Sequence, residues 1–361
     1  MTSALFISSS PVFTVDGEDK GELARDLVFL QCEESIDGLK NLQARFVAIG
    51  PQSGAEEQGL LYMDGRILDF GKRLQVAIGP LDGQRTIFEG FISALEIHYQ
   101  EGEEPELCLY AEDQLMDLRM TRRMKTYEDM SDADIAEEIA TEHGLSADVA
   151  AEGPTYDRIQ QMNMSDLAFL RERARLLQAD VWTDGSTLFF KTRDQRDGPL
   201  STLVRGNDVI TVSACADLAH QRTSVKVSGY DANSREVIEE EAAEDVVRGE
   251  LTGGRSGPQI LQSAFGERVS HRVREVPLQA SEASDWARAE MLRRSRQFVQ
   301  VNGITSGHPD LIVGSQVRLE RMGSVFEGDG YYVTQVRHTY DLQSGHRTQF
   351  NAEKASVGDF A

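Results

Sequence analysis

The chain has 361 residues, more than one hydrophobic core usually organises, so its length predicts two or three domains. Apolar residues make up 40% of the composition, which excludes a disordered or collagen-like chain. The 37 Lys and Arg residues against 60 Asp and Glu residues give a net charge of −23, so we expect no tight nucleic-acid binding. No apolar run approaches the roughly 18 residues of a membrane helix, so we also expect no membrane insertion.

Short runs of alternating apolar and polar residues fill the region from Arg25 to about Tyr110, and Gly, Asp and Pro separate them. This pattern predicts half-buried antiparallel strands at regular spacing. Several such strands in a row favour a barrel or a sandwich, because closing or doubling a sheet removes its exposed edges. The first region is therefore predicted to be all-β.

The period changes between about Met116 and Asp197, where two helices and a hairpin are predicted. Ser131 begins the first helix as its N-cap, and His143 and Gly144 end it. Ser165 caps the second helix, and Asp166 follows it in the first turn. As a first-turn charge Asp166 is worth about 1 kcal/mol at most, and more only if its side chain also caps or bridges.

Strands return from about Leu203, and one further helix interrupts them. The Gly-rich stretch LTGGRSGPQ is interpreted as a connection between strands, ERVSHRVREVPL as a strand, and SEASDWARAEMLRRSRQFV as the helix. The fold class predicted for the whole chain is thus α+β and mainly β.

The tripeptide Phe-Glu-Gly occurs twice in similar sequence contexts. Each copy is followed by a predicted alternating strand that carries a histidine. A preceding strand and turn are also predicted for both copies. This repeat favours a duplicated β-barrel. Its members are Phe88, Glu89 and Gly90 in the first copy and Phe326, Glu327 and Gly328 in the second.

Sequence signatures of catalysis and metal binding are missing. There is no nucleophile-elbow motif and no phosphate-binding loop, and the seven histidines are scattered without metal-ligand spacing. Cys32, Cys108 and Cys215 are odd in number, lack a C-x-x-C pair and are interpreted as buried thiols of a reducing compartment. We therefore predict no catalytic, cofactor-binding or metal site.

Several separate segments resemble, in the same order, blocks of the phage late control D protein family. They are YEDMSDADIAEEIATEHGL, YDRIQQMNMSDLAFLRERARLLQADVW, VKVSGYDANSREVI, GGRSGPQILQSAFGERV and PDLIVGSQVRLERMGSVFEGDGYYVTQVRHTYD. The matches run from about Tyr127 to Phe350, whereas the first 115 residues match only in their strand pattern.

The resemblance implies a structural baseplate hub of a contractile phage tail or related injection system, similar to the hub part of type VI secretion spike proteins. It implies two tube-like antiparallel β-barrels, at residues 1–118 and 201–361, with an α/β insertion module at 119–200. Such hubs form homotrimers that adapt a six-fold tail tube to a three-fold central spike. The implied location is the tail baseplate of a virion or injection particle, made and assembled in the bacterial cytoplasm.

The implied partners are a second and third copy of the chain, a tail tube or tube-initiator protein, a separate central spike protein, the tape-measure protein and baseplate wedge proteins. The role implied is not enzymatic and needs no cofactor. Two alternatives stay open, namely a baseplate-associated cell-wall hydrolase and a carbohydrate- or receptor-binding module. The residues offered as structural positions are Phe88, Glu89, Gly90, Ser165, Asp166, Phe169, Leu170, Gly229, Tyr230, Asp231, Phe326, Glu327 and Gly328.

Overall fold

Strands dominate the computed structural model, which describes residues 10–36, 38–51, 58–79, 83–231, 234–273 and 276–359. The predicted fold class, α+β and mainly β, is confirmed, because large antiparallel sheets alternate with a few helices. The helices are α1 Gly21–Arg25, α2 Leu115–Met120, α3 Asp132–Glu142, α4 Asp166–Leu177, α5 Gly257–Phe265 and α6 Ala280–Arg296, with 3-10 helices at Arg193–Gln195 and Glu244–Glu250.

The strands of the first half of the chain are mostly short. They are β1 Val12–Val15, β2 Glu18–Asp19, β3 Leu27–Ser35, β4 Asn41–Val47, β5 Ile49–Pro51, β6 Gln58–Leu60, β7 Arg73–Ile78, β8 Arg85–His98, β9 Glu106–Glu112, β10 Arg122–Met130, β11 Ser146–Val149, β12 Tyr156–Ser165, β13 Ala179–Asp184 and β14 Thr187–Thr192.

The second half carries the remaining strands. They are β15 Leu200–Val204, β16 Val209–Ala216, β17 Ser224–Asp231, β18 Glu236–Ala243, β19 Arg255–Ser256, β20 Val269–Arg272, β21 Val299–Thr305, β22 Gln316–Glu320, β23 Gly328–Asp341, β24 Gly345–Lys354 and β25 Ser356–Val357.

The chain divides into two compact units, each built from separate stretches of sequence. The first unit takes its residues from 1–116, 304–313 and 335–350, and the second from 117–303, 314–334 and 351–361. The predicted domain boundaries at 118/119 and 200/201 stay a prediction.

The first unit is an antiparallel sheet whose neighbouring strands run β3-β4-β9-β8-β7-β1-β2. Strand β4 shows why these segments form strands, since Leu42, Ala44 and Phe46 alternate along it and are buried. They join a core that includes Phe13 and Phe88. The predicted all-β character of this region is confirmed.

In the second unit helix α6 packs into a core with β17 and β18, where Trp286 and Met291 meet Val225. Helices α3 and α4 accompany a two-stranded ribbon of β10 and β12 and a small sheet ordered β11-β14-β13. The predicted hairpin at Asp184 is β13 and β14, with Gly185 at a φ of 54° in the turn. Across the described ranges no strand pairing closes a sheet into a ring, so barrel closure stays a proposal.

Three interpretations need correction. The stretch LTGGRSGPQ does not only connect strands, because Ser256 caps α5 reciprocally with Gln259 and Pro258 lies in the first turn. The segment predicted as the strand ERVSHRVREVPL is a strand only at β20, while its Arg274 and Glu275 lie outside the described residues. Cys32 and Cys108 are buried as expected, but Cys215 is exposed.

Candidate assembly site

Ser165 and Asp166 hold the beginning of α4, as their positions in the sequence predict. Ser165 ends β12 with an extended backbone, and its Oγ accepts a hydrogen bond from the backbone N–H of Ala168 at 3.2 Å. This bond satisfies one of the free N–H groups at the helix start. Asp166 is the first helical residue, and its side chain is completely buried.

Three side chains from other elements surround the Asp166 carboxylate. Arg123 on β10 donates from Nε at 2.9 Å, and Gln161 on β12 donates from Nε2 at 2.8 Å. The Nε2 of His143, at the end of α3, lies 2.8 Å from the same carboxylate, and its Nδ1 lies 2.5 Å from Asp117. The cluster therefore fastens two strands and two helices to one buried charge.

Such a cluster suits a structural purpose better than a catalytic one. A buried carboxylate is tolerated only when charged or polar donors compensate its desolvation. Asp132 on α3 has the same arrangement, because Arg173 on α4 donates to it at 2.5 Å and stacks over Tyr156 at 4.6 Å. Both carboxylates are engaged by guanidinium groups, and together they hold α3, α4 and the ribbon of β10 and β12 to one another.

Phe169 and Leu170 follow in α4 and are both buried. The Phe169 ring stacks on Tyr127 of β10 with 5.6 Å between centroids and 12° between planes. Phe169 therefore attaches α4 to the ribbon of β10 and β12.

The first copy of the repeated tripeptide lies inside β8. Phe88 is in the core of the first unit, and Glu89 pairs with Arg73 at 3.3 Å. Gly90 leaves no space for a side chain, since a Cβ there would come within 2.1 Å of the Glu112 carbonyl oxygen. Glycine is thus required for close contact with β9.

The second copy has a different local structure. Phe326 and Glu327 lie in a turn closed by backbone bonds to the Gly323 carbonyl, and Gly328 begins β23 at a φ of 120°. Strands β7 and β22 precede the two copies, as predicted. The tripeptides do not occupy equivalent positions, because the first lies inside the following strand and the second lies mostly in the turn before it.

Gly229, Tyr230 and Asp231 end β17. A Cβ on Gly229 would lie 2.4 Å from the Pro277 carbonyl oxygen, so the segment after β20 passes directly against this glycine. Asp231 accepts a hydrogen bond from the backbone N–H of Ser234 at 3.2 Å, and Tyr230 is 50% exposed. These three residues lie in a different sheet from β8 and β23, so the structure does not group them with either tripeptide copy.

Tyr230 belongs to an exposed apolar surface that we call the tyrosine–valine patch. Tyr230 and Val237 face each other in the β17–β18 register, and the parallel pairing of β17 with β20 places Val273 beside the same strand end. Val276 and Leu278 flank Pro277, which lies against Gly229 at the same strand end. Each member is at least half exposed, which is unusual for large apolar side chains. The members are Tyr230, Val237, Val273, Val276 and Leu278.

A second exposed apolar group lies on the β10–β12 ribbon. Met124 and Met162 are direct cross-strand partners, and both are largely exposed, as is Met120 just before β10. Both surfaces were missed by the sequence analysis, since strand pairing brings their members together. The sequence signal for the tyrosine–valine patch was the occurrence of Val273, Val276 and Leu278 close to Pro277 in an otherwise polar stretch.

Buried histidines and one group of possible metal ligands lie in the first unit. His338 Nδ1 is 3.2 Å from His346 Nε2, and burial lowers the pKa of His338 to about 3 and that of His346 to about 4. In the described part of the chain, the group able to offer three metal ligands is Glu96, His98 and Cys108 on β8 and β9.

Among the described residues, no helix has the length and apolar character needed to cross a membrane.

Two solved structures share the fold over nearly their full length. The 43 kDa tail protein of prophage MuSo2 from Shewanella oneidensis is 12% identical, with a TM-score of 0.70 over 98% of this chain and 100% of that chain. The tail protein from Neisseria meningitidis MC58 is 14% identical, with a TM-score of 0.68 over 96% and 97%.

A third structure is the E. coli c3393 protein, described as a component of the type VI secretion system with structural similarity to the T4 bacteriophage tail proteins gp27 and gp5. It is 13% identical, with a TM-score of 0.56 over 93% of this chain and 76% of that chain. At these identities the likeness establishes a common fold.

No curated protein matches the chain by sequence. A family match exists for residues 54–341, and its description is "Alg8 N-terminal domain". This description differs from the late control D family that the motifs resemble. Because the match spans about four fifths of the sequence, the chain belongs to the Alg8 N-terminal domain family.

Proposed function

We propose that the protein is a non-enzymatic structural hub of a contractile phage tail or related injection particle, kin to the late control D proteins. In this proposal three copies form a ring that adapts a six-fold tube to a three-fold spike. Residues 1–118 and 201–361 each build one tube-like barrel, and residues 119–200 form the inserted module. The partners are a tube or tube-initiator protein and a separate spike protein, with tape-measure and wedge proteins nearby in the baseplate.

The observation that carries the proposal is a repeated three-stranded meander. Strand β8 has 14 residues and pairs with β7 before it and β9 after it. Strand β23 also has 14 residues, pairs with β22 before it, and neighbours β24 after it. In both meanders the first pairing contains a register shift, so the two copies also share an irregularity.

Two related barrels in each chain would suit a symmetry adaptor. A ring of three chains then presents six similar elements to a tube, while the ring itself retains three-fold symmetry toward a spike. The fold shared with phage tail proteins supports this use. The exposed tyrosine–valine patch supports an assembled state, since lasting interfaces between copies are rich in apolar side chains.

The mass of the purified chain in solution, measured by light scattering, tests the proposal. We expect three times 40.1 kDa, either for the chain alone or after addition of its spike protein. A persistent monomer that binds neither spike nor tube protein would contradict the hub. Clearing of a peptidoglycan zymogram would instead favour the wall hydrolase.

A pair of variants tests the patch as the contact between copies. Val237→Asp places a charge on a residue that is 74% exposed, so we expect an unchanged melting temperature and a shift from trimer to monomer. Leu342→Asp is the matched control, because Leu342 is 76% exposed and lies outside the patch. A trimer that survives Val237→Asp would remove the patch from the subunit interface.

A further inference from the structure

The end of the β8–β9 hairpin brings together three side chains with different metal-binding atoms. Glu96 is the direct cross-strand partner of Cys108, and His98 lies two residues beyond Glu96 on the same face of β8. One carboxylate oxygen, one imidazole nitrogen and the thiol sulfur all lie within 4.8 Å of one another. The sequence does not reveal this ligand group, because the pairing of β8 with β9 brings Cys108 to Glu96 and His98.

The distances fit a tetrahedral ion with little rearrangement. Ligands bound to Zn²⁺ at about 2.0 to 2.3 Å stand roughly 3.3 to 3.8 Å apart. The Nε2 of His98 already lies 3.3 Å from Glu96 Oε1. The Cys108 sulfur lies within 4.8 Å of both atoms, so a modest side-chain rotation would bring it to the ligand spacing of a tetrahedral ion.

The surroundings favour a bound cation with access from solvent. Cys108 lies on the face of β9 opposite the core residues Leu107 and Leu109, while the side chains of Glu96 and His98 are 49% and 55% exposed. The ion would therefore rest on the sulfur and be reached from outside, with one coordination position open to water.

Neighbouring side chains complete the site. The Tyr110 hydroxyl donates to Glu96 Oε2 at 2.8 Å and orients the carboxylate, as outer hydrogen-bond partners of metal ligands commonly do. Arg45, the other cross-strand neighbour of Cys108, pairs with Glu106 at 3.0 Å, so its charge is balanced locally.

We propose that Glu96, His98 and Cys108 bind one divalent ion of the Zn²⁺ class, which clips β8 to β9 at the start of their connecting loop. Mixed sulfur, nitrogen and oxygen donors select such borderline ions over Mg²⁺ or Ca²⁺. The clip restrains residues 99–105 and does not depend on the proposed hub role.

Titration of the chelator-treated full chain with Co²⁺ tests the site through its absorption spectrum. We expect saturation at one equivalent, visible bands typical of a tetrahedral ion, and a near-ultraviolet thiolate-to-cobalt band that Zn²⁺ abolishes. Cys108→Ser should remove the thiolate band. Cys215→Ser is the matched control and should keep it, because Cys215 is an exposed thiol on another strand.

Two more variants keep the test decisive if Cys108→Ser folds poorly. His98→Ala changes a half-exposed side chain and should abolish one-equivalent binding. Tyr110→Phe removes only the positioning hydroxyl and should weaken Co²⁺ binding by about 10- to 100-fold while the thiolate band remains. Absence of the band in the wild-type chain, or its loss in Cys215→Ser, would overturn the proposal.

Discussion

The Asp166 side chain connects more elements of the fold than its position in the first turn of α4 suggests. Its carboxylate is contacted by Arg123 from β10, Gln161 from β12 and His143 from the end of α3. The role goes beyond a first-turn charge, which the sequence alone valued at about 1 kcal/mol. A buried carboxylate with such donors is bridging, so its loss leaves several polar groups without their partner.

Replacing Asp166 with Ala should lower the free energy of unfolding by about 3 kcal/mol, because Arg123 and His143 lose a buried counter-charge. Urea unfolding monitored by circular dichroism measures this change. Asp157→Ala is the control on an exposed position of β12 and should change stability by less than about 0.5 kcal/mol. Equal effects for the two variants would show that the Asp166 cluster does not hold these strands and helices together.

Acid should destabilise the fold through His338 and His346. Burial lowers their pKa values to about 3 and about 4, whereas an unfolded histidine titrates near 6.5. The unfolded chain therefore binds more protons as pH falls below about 6.5, and the neighbouring His308 and Lys40 oppose added charge in the folded state. Stability is present above that pH and is lost progressively toward pH 4.

The test compares unfolding free energies between pH 7 and pH 4.5. His338→Gln should flatten the fall by up to about 1.4 kcal/mol per pH unit, since one titrating group is removed. His271→Gln, on an exposed position of β20, is the control substitution of the same type. Parallel curves for wild type and His338→Gln would contradict the assignment.

At the scale of elements, helix ends follow local chemistry closely. The capping boxes of α3 and α5 both join an N-cap serine to the residue three places later, Asp134 in one case and Gln259 in the other. For α3 the sequence predicted Ser131 as the N-cap but not the return bond to Asp134. The cap of α5 was overlooked, because the glycines before Ser256 suggested a connection. Strand β8 differs from these helix ends, because its pairing depends on the close approach of Gly90 to β9. No local sequence pattern reveals this contact.

Gly90→Ala should therefore damage the β8–β9 pairing. The added Cβ would meet the Glu112 carbonyl at 2.1 Å, so we expect a loss of about 2 to 3 kcal/mol or a failure to fold. Thermal unfolding gives the measurement. Gly249→Ala is the matched control, because a Cβ there meets nothing within 4 Å, and it should be neutral or slightly stabilising.

At the scale of the whole molecule, the proposed duplication is supported by strand topology and not by the repeated tripeptide. The repeated tripeptide occupies a strand in one copy and a turn in the other, yet β8 and β23 are central strands of equal length in matching meanders. Backbone pairing can persist while side chains diverge, since pairing needs only alternating burial and free N–H and C=O groups. The low identity to solved structures of the same fold agrees with this explanation.

The amino-acid sequence by itself determined the mainly β class, the caps of α3 and α4, and the hairpin at Asp184, because their signals lie within a few residues of one another. Only the tertiary structure decided which donors surround Asp166, which apolar residues remain exposed around Tyr230, and which ligands meet at Cys108. Each of these groupings depends on strand pairing or helix packing between distant segments. Such contacts follow from register, and register is set by the burial of whole faces.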